Sequence, residues 1–151
     1  ATKEVTVVVD YAHTPDSLTQ LYEAFTDLPK VCVLGNTGGG RDTWKRPEMG
    51  AIAERYCNHI ILTNEDPYDE NPQKIIDEMR RGMSADAKVD SIIDRRNAIA
   101  HAIDIAPENS VVLSSGKGTD PFIMGPNGTK REWSDANVVH ELLEATASES
   151  E

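Results

Sequence analysis

Short apolar runs alternate along this chain with segments in which apolar residues recur every three or four positions. Runs of the first kind are typical of strands buried on both faces, and the recurring positions are typical of amphipathic helices. Their alternation predicts an α/β fold, with a mainly parallel sheet of about six strands flanked by helices. The predicted strands are Val5–Val9, Lys30–Leu34, residues 59–63, a short strand at 91–93, and residues 110–113.

The helical periodicity predicts a helix after each of these strands except the last. These helices cover residues 15–27, 47–57, 72 to about 82, and 95–106. After residue 121 the period changes, because residues 122–124 and 130–133 flank a turn made of Gly, Pro and Asn. That pattern predicts a C-terminal β-hairpin, followed by a last helix that Ser134 caps.

Length and charge narrow the classes of function. The 151 residues suffice for one domain, and 26 acidic against 15 basic residues give a net charge of −11. This charge argues against nucleic acid and anionic membranes as partners. The sequence contains neither a membrane-spanning run nor a signal peptide, so we expect a cytoplasmic protein. Cys32 and Cys57 lie in or beside apolar runs and are expected to be reduced core residues.

The first candidate for chemistry follows the first strand. Asp10, Tyr11 and His13 lie where that strand ends, and Thr14 and Pro15 then supply an N-cap and a first helical residue. Ligands of open α/β sheets bind at this carboxyl edge of the strands. The alternative is an ordinary strand-to-helix turn with an exposed histidine.

A glycine-rich loop follows the second strand. It contains Gly38, Gly39 and Gly40, and it carries Arg41, Lys45 and Arg46 close to a helix N-terminus. Glycine lets backbone N–H groups approach an anion, and basic charge clustered in an acidic chain favours the same function. The loop matches neither the Walker A nor the GxGxxG pattern. A flexible loop with solvated basic side chains is the alternative.

Two further loops carry polar groups at strand ends. The acidic loop 63–72 reads TNEDPYDENP, and residues 115–120 read SGKGTD. Taken alone, they are typical of a helix-entry loop and a tight turn. The sequence has no CxxC or HExxH pattern, so it predicts no metal site.

Together these segments resemble the C-terminal domain of the Mur ligases, ATP-dependent enzymes that add amino acids to the peptidoglycan precursor. The resemblance rests on DYAHTPDSL at 10–18, GGGRD at 38–42, KRP at 45–47 and GKGTD at 116–120. It covers nearly the whole chain and is nearest to the UDP-N-acetylmuramoyl-tripeptide ligases (MurE type). It implies that residues 1–146 are a Rossmann-like domain of this family, with a polar tail at 147–151. The abrupt start at the first strand suggests a domain cut from, or descended from, a longer chain.

The resemblance also implies roles for single residues. Those expected to contact ATP are Asp10, Tyr11, His13 and Lys45. Those expected to line the amino-acid pocket are Arg41, Glu65, Asp66, Tyr68, Gly116 and Asp120. The P-loop and most ligands of Mg²⁺ belong to the family's central domain. The partners implied are therefore a UDP-MurNAc-peptide, an amino acid and the enzyme's own N-terminal and central domains, and this chain alone is expected to be inactive.

The departures from the family pattern concern the amino acid. The family has DNPR in enzymes that add meso-diaminopimelate, where this chain has Glu65, Asp66, Pro67 and Tyr68. The arginine that would pair with a distal carboxylate is missing, and Asp66 adds an acid, so we expect lysine, another diamine or a non-standard residue. A folylpolyglutamate-type ligase domain and a non-catalytic interaction module remain as alternatives.

Overall fold

The structure is a computed structural model that describes residues 4–40 and 42–149. Its main sheet is parallel throughout, with strand order β1-β5-β2-β3-β4. The strands are β1 Val5–Val9, β2 Lys30–Leu34, β3 His59–Leu62, β4 Val89–Ser91 and β5 Ser110–Ser114. The predicted α/β class is confirmed. The sheet has five strands rather than about six, because β6 (Phe122–Met124) and β7 (Lys130–Glu132) pair with each other in a separate hairpin.

Within the described residues, five α-helices cover the sheet: α1 Pro15–Glu23, α2 Lys45–Tyr56, α3 Pro72–Arg80, α4 Arg95–Ile105 and α5 Asp135–Glu149. Helix α1 begins as predicted, since the Thr14 side chain accepts a hydrogen bond from Ser17 N and Pro15 opens the first turn. It ends four residues before the predicted position. A tight turn follows, in which Phe25 N donates to Tyr22 O and keeps Phe25 against the core.

Strand residues alternate between two cores, one on each face of the sheet. On one face Cys32, Leu34 and Leu62 pack against α1, α2 and α3. On the other face Val33, Ile61 and Val112 pack against α4 and α5. Both faces are covered, which explains why the strands are continuous apolar runs. Among the described helices, none has the length and hydropathy needed to cross a bilayer.

The parallel arrangement brings four of the predicted loops to one edge. Loops 10–14, 35–44, 63–71 and 115–121 each follow the carboxyl end of a strand. Backbone hydrogen bonds join them in pairs: Gly116 N donates to Asp10 O at 3.1 Å, and Gly38 N donates to Asp66 O at 2.6 Å. The sheet order therefore assembles one composite edge from segments that are far apart in sequence.

The expectation of two reduced cysteines was wrong, because Cys32 and Cys57 form a disulfide. Cys32 lies in β2 on the face that α2 covers, and Cys57 caps the C-terminus of α2. Their Cα atoms are 6.1 Å apart, a separation that a disulfide spans readily. The sequence could not indicate the pairing, because it depends on how the end of α2 packs on the sheet.

Reduction of this disulfide is expected to lower the free energy of unfolding by about 3–4 kcal/mol, because the bond closes a long loop in the unfolded chain. The two cysteines are separated by 25 positions. Urea denaturation with and without dithiothreitol measures the effect. A double Cys32→Ala, Cys57→Ala variant is the control and should not respond to reductant. Alkylation of both thiols in unfolded, unreduced protein would contradict the disulfide.

Candidate functional site

Glu65 lies at the centre of the composite edge, directly after the acidic loop begins. Its side chain is buried, with 3% of the residue exposed. Within the described part of the chain it accepts one hydrogen bond, from Thr37 Oγ1 to its Oε2 at a long 3.4 Å. Burial raises the pKa of Glu65 from 4.5 to about 7, although Arg95, Lys117 and His13 act in the opposite direction. The ionised carboxylate therefore lacks a strong partner.

Two glycines make room for this carboxylate. A Cβ on Gly116 would lie 2.5 Å from Glu65 Oε1, and one on Gly35 would lie 3.0 Å from Glu65 Cβ. Gly116 also has a φ of 101°, which residues with a side chain rarely adopt. The structure thus brings Glu65 and Gly116, both predicted for the amino-acid pocket, into direct proximity.

Asp66 has a different environment from its neighbour. Its Oδ1 accepts hydrogen bonds from Lys117 Nζ and from Met124 N, both at 2.9 Å. Lys117 is 1% exposed and also donates to Phe122 O at 2.5 Å. The charge of Asp66 is therefore neutralised, and the carboxylate anchors the hairpin to the acidic loop. Asp120, the last predicted pocket residue, has Oδ2 3.6 Å from Lys117 Nζ.

Lys117 is a residue that sequence reasoning missed. A lysine between two glycines is a common pattern, and it gave no reason to expect a buried charge. The burial arises because β6 folds over the lysine and supplies the Phe122 carbonyl. Only the spatial proximity of the hairpin and the acidic loop identifies it.

The glycine-rich loop packs closely on the acidic loop. A Cβ on Gly38 would lie 2.1 Å from Pro67 O, so the two backbones leave no room for a side chain there. Tyr68 has a φ of 52° and is 37% exposed. Between the loops is a cavity of about 340 Å³ lined by Thr37, Gly38, Gly39 and Tyr68. Arg41, the predicted contact to the amino acid, lies outside the described residues.

Arg46 needs a correction, because the sequence suggested it as a basic group free to bind an anion. Its guanidinium is buried and forms a two-pronged pair with Glu70, with Nη1–Oε2 at 2.6 Å and Nη2–Oε1 at 2.9 Å. Nη1 also donates to Glu78 Oε2 at 2.5 Å, and Nη2 to Thr37 O at 3.1 Å. The hydrogen bond from Arg46 is the main cause that lowers the pKa of Glu70 to about 2. The guanidinium of Arg46 is thus paired within the protein and is not free to bind an anion.

The segment after β1 forms a second part of the edge. Asp10 Oδ1 accepts from Ala12 N at 2.8 Å, Tyr11 is 52% exposed, and His13 contacts the Tyr11 ring at 4.8 Å between centroids. A cavity of about 410 Å³ lies beside them, lined by Val9, Asp10, Tyr11, Gly118, Thr119, Ser134 and Ala136. Lys45, grouped with them by prediction, begins α2 and has its Nζ 3.3 Å from Asp42 Oδ2.

The histidines away from this edge have structural partners. His59 Nε2 and His101 Nε2 lie 2.8 Å and 2.9 Å from the same Asp90 oxygen, and these contacts lower the pKa of Asp90. Across residues 4–40 and 42–149, no group of three or more His, Cys, Asp or Glu side chains is arranged to hold a metal ion.

This chain is similar in sequence to a known family and to curated proteins. The family model described as Mur ligase, glutamate ligase domain matches residues 1–118. The UDP-N-acetylmuramoyl-L-alanyl-D-glutamate–2,6-diaminopimelate ligase of Aquifex aeolicus is 45% identical over 141 residues, which are 91% of this chain and 29% of that protein. The ligase of the same name from Cytophaga hutchinsonii is 38% identical, over 93% of this chain and 30% of the relative.

Solved structures agree with the sequence comparison. A structure of a UDP-N-acetylmuramoyl-L-alanyl-D-glutamate–2,6-diaminopimelate ligase superposes with a TM-score of 0.89 at 32% identity, covering 97% of this chain and 31% of the other. Folylpolyglutamate synthase from Thermotoga maritima shares the fold, with a TM-score of 0.53 at 19% identity over 73% of this chain and 24% of its own. The chain thus spans less than a third of the length of the ligases it matches.

Proposed function

Because this chain belongs to the Mur ligase family, through its glutamate ligase domain, we propose that it binds the incoming amino acid in an ATP-dependent ligase of the UDP-N-acetylmuramoyl-tripeptide type. The observation that carries this proposal is Glu65, a carboxylate that is 3% exposed and lacks a strong partner. A buried charge without a partner is costly, and an ammonium group of a ligand would supply that partner. The names of the relatives, which are diaminopimelate ligases, support the same substrate class.

The amino acid we propose is a diamino acid. Glu65 is the group that receives an ammonium, and Gly116, which has no side chain, leaves room for the Glu65 carboxylate. The sequence suggested that the charge of Asp66 pairs with a cationic ligand side chain, but Lys117 already neutralises that charge. Asp66 instead fixes the position of the acidic loop against the hairpin. Tyr68 lines the cavity beside the glycine-rich loop, and we propose that Asp120 and Arg41 complete the pocket. Lysine, expected from the sequence, and diaminopimelate, named for the relatives, both belong to this class.

The residues beside β1 fit a nucleotide. Asp10 offers a carboxylate to ribose hydroxyls, the exposed Tyr11 ring offers a flat surface, and the adjoining cavity is about 410 Å³. We propose that these residues, with His13 and Lys45 nearer the phosphates, hold ATP, which when bound supplies the phosphoryl group that activates the acceptor carboxylate. The described residues offer no cluster suited to Mg²⁺, so we derive no step through that ion in this chain.

The whole reaction, as we propose it, also requires the other domains of the parent enzyme. We propose that the parent enzyme works in the cytoplasm on a UDP-MurNAc-peptide, whose carboxylate becomes an acyl phosphate at the central domain. The amine of the amino acid then attacks the acyl carbon, forms the amide bond and displaces inorganic phosphate. The isolated chain is therefore expected to form no amide bond. Amide formation by the isolated chain, detected by mass spectrometry, would overturn this assignment of functions to the domains.

A titration followed by NMR tests the proposed site. The ¹⁵N-labelled chain is titrated separately with diaminopimelate, lysine, glutamate and ATP. We expect a diamino acid to shift the amides of residues 38–40, 64–70 and 115–120, and ATP to shift those of 10–13. Glutamate, which has a single amine, is the matched control and should have little effect. Shifts with glutamate alone would favour a folylpolyglutamate-type ligase, and shifts on another surface would favour an interaction module.

A further inference from the structure

Arg95, the first residue of α4, is buried beneath the composite edge and 2% exposed. Its guanidinium forms a two-pronged pair with Asp135, with Nε–Oδ1 and Nη2–Oδ2 both at 2.8 Å. Asp135 is itself fully buried and accepts further hydrogen bonds from Trp133 Nε1 at 2.6 Å and Ser114 Oγ at 2.9 Å. The orientation of the guanidinium is therefore fixed from behind by α5.

Further hydrogen bonds from the guanidinium reach the Ser114 hydroxyl, with Nη2–Oγ at 3.3 Å, and two backbone carbonyls. Arg95 Nη1 donates to Asn64 O at 2.9 Å, and Nη2 donates to Ser115 O at 3.1 Å. Asn64 and Ser115 directly precede Glu65 and Gly116, the two residues that meet at the centre of the candidate site. One side chain outside both loops thus holds both of them.

The sheet topology explains why such a connection matters. The acidic loop follows β3 and the SGKGTD loop follows β5, and β2 lies between these two strands. Within the described residues, β3 and β5 each pair with β2 and not with each other. Strand pairing therefore positions the two strands, but it does not fix the separation of the loops that extend beyond them. Arg95 bridges the two loops with directed hydrogen bonds.

We propose that Arg95 is a positioning residue that holds the Asn64 and Ser115 carbonyls at a set separation and so preforms the amino-acid site, to which Glu65 and Gly116 belong. This inference rests on the proposed function for the identity of the ligand. Arginine suits the task because its planar fork reaches an acid and two carbonyls at once, whereas lysine presents a single point of charge. Arg95 lies behind the site and affects ligand binding only by positioning these two loops.

The test compares Arg95→Lys with Arg96→Lys. Arg96 is the next residue on the same helix, and its exposed side chain pairs with Glu141 Oε2 at 2.6 Å, so it is a matched control. We expect Arg95→Lys to stay folded, because lysine keeps a charge beside Asp135. Its Gly116 amide should exchange with solvent at least tenfold faster, and its affinity for diaminopimelate or lysine should fall on the order of tenfold. Arg96→Lys should match the unmodified chain in both measurements.

A third variant separates positioning from stability. Asp135→Asn removes the charge behind Arg95 but keeps an amide oxygen that can accept one of its hydrogen bonds, so the guanidinium should keep its orientation and both carbonyl bonds. This variant should lower stability while affinity stays within about threefold of the unmodified chain. A loss of affinity that simply follows stability across Arg95→Lys and Asp135→Asn would overturn the proposal, because it would indicate a structural role alone. Unchanged Gly116 exchange in folded Arg95→Lys would also overturn it.

Two outcomes need a separate measurement. If Arg95→Lys does not fold, the Arg95 Nη hydrogens are measured in the unmodified chain. Protection from exchange, with resonances that shift on addition of the diamino acid, supports the proposal. Free exchange of these hydrogens overturns it. If no amino acid binds to the unmodified chain, the proposed function fails. The exchange rates of the Gly116 amide in the two lysine variants then still test whether Arg95 holds the loops.

Discussion

Replacing Glu65 with glutamine is expected to weaken binding of the amino acid and, at pH 8, to make the chain more stable. The pKa of Glu65 is raised from 4.5 to about 7 in the folded protein by burial. Between these values the folded chain binds more protons than the unfolded chain, so stability falls as the pH rises from about 4.5 to about 7. Glutamine cannot ionise and avoids this loss, which amounts to as much as about 3 kcal/mol.

Urea denaturation of both proteins at pH 4 and pH 8 measures this effect. At pH 4 the carboxyl group is protonated in both states, so the two stabilities should be close. At pH 8 the Glu65→Gln variant should be the more stable protein. Glu108→Gln, at an exposed position between α4 and β5, is the control and should show no such divergence. An equal difference at both pH values would contradict a buried carboxylate without a partner.

Binding should change in the opposite direction to stability. A charge-assisted hydrogen bond between Glu65 and an ammonium group is expected to contribute roughly 10- to 100-fold in affinity, which the amide cannot replace. In the unmodified chain the affinity should also fall as the pH drops below about 7, because Glu65 takes up a proton. Calorimetric titration with diaminopimelate and lysine between pH 6 and pH 8 measures both effects. Equal affinity in the variant would exclude Glu65 from the site.

The features that the sequence predicted well are those that depend on local pattern and on the parallel sheet. The apolar run at Val5–Val9 and the cap at Thr14 are determined by residues close in sequence, and both are present. Since parallel strands end at one edge, the loops after β1, β2, β3 and β5 had to meet there. The short strand near residue 91 was predicted two residues late, because β4 is half-buried and has little apolar character.

The partners of the charged residues could not be predicted in this way. Arg46 and Glu70 are 24 positions apart, Arg95 and Asp135 are 40 apart, and Lys117 and Asp66 are 51 apart. Nothing local distinguishes a basic residue that will be buried in such a pair from one that stays in solvent. Arg46 and Arg55 lie on the same helix, yet the first is buried and the second exposed. Only the structure therefore identifies which charged residues at the edge are buried in pairs.

The difference between those two arginines gives the largest expected effect on stability. Arg46→Met should lower the free energy of unfolding by about 3–5 kcal/mol, because it removes the buried cation from Glu70 and Glu78 in a largely buried setting. The exposed Lys74, at 3.7 Å and 4.0 Å, then remains as their cationic partner. The loss should depend on pH. The pKa of Glu70 is lowered to about 2 in the folded chain, so its contribution is present above 4.5 and disappears as the pH falls toward 2. Urea denaturation from pH 7 to pH 2.5 measures this convergence.

Arg55→Met is the matched control, since Arg55 is exposed on α2 and contacts only the face of the Tyr56 ring among the described interactions. It should change stability by less than about 0.5 kcal/mol at every pH. Arg46→Met has a further consequence, because Glu70 Oε1 also accepts a hydrogen bond from Gly40 N at 2.9 Å. Without Arg46 to orient Glu70, the glycine-rich loop loses a support close to the cavity beside Tyr68. Weaker binding of the diamino acid by folded Arg46→Met would thus connect the buried pair to the site, and equal stability of the two variants would refute its importance.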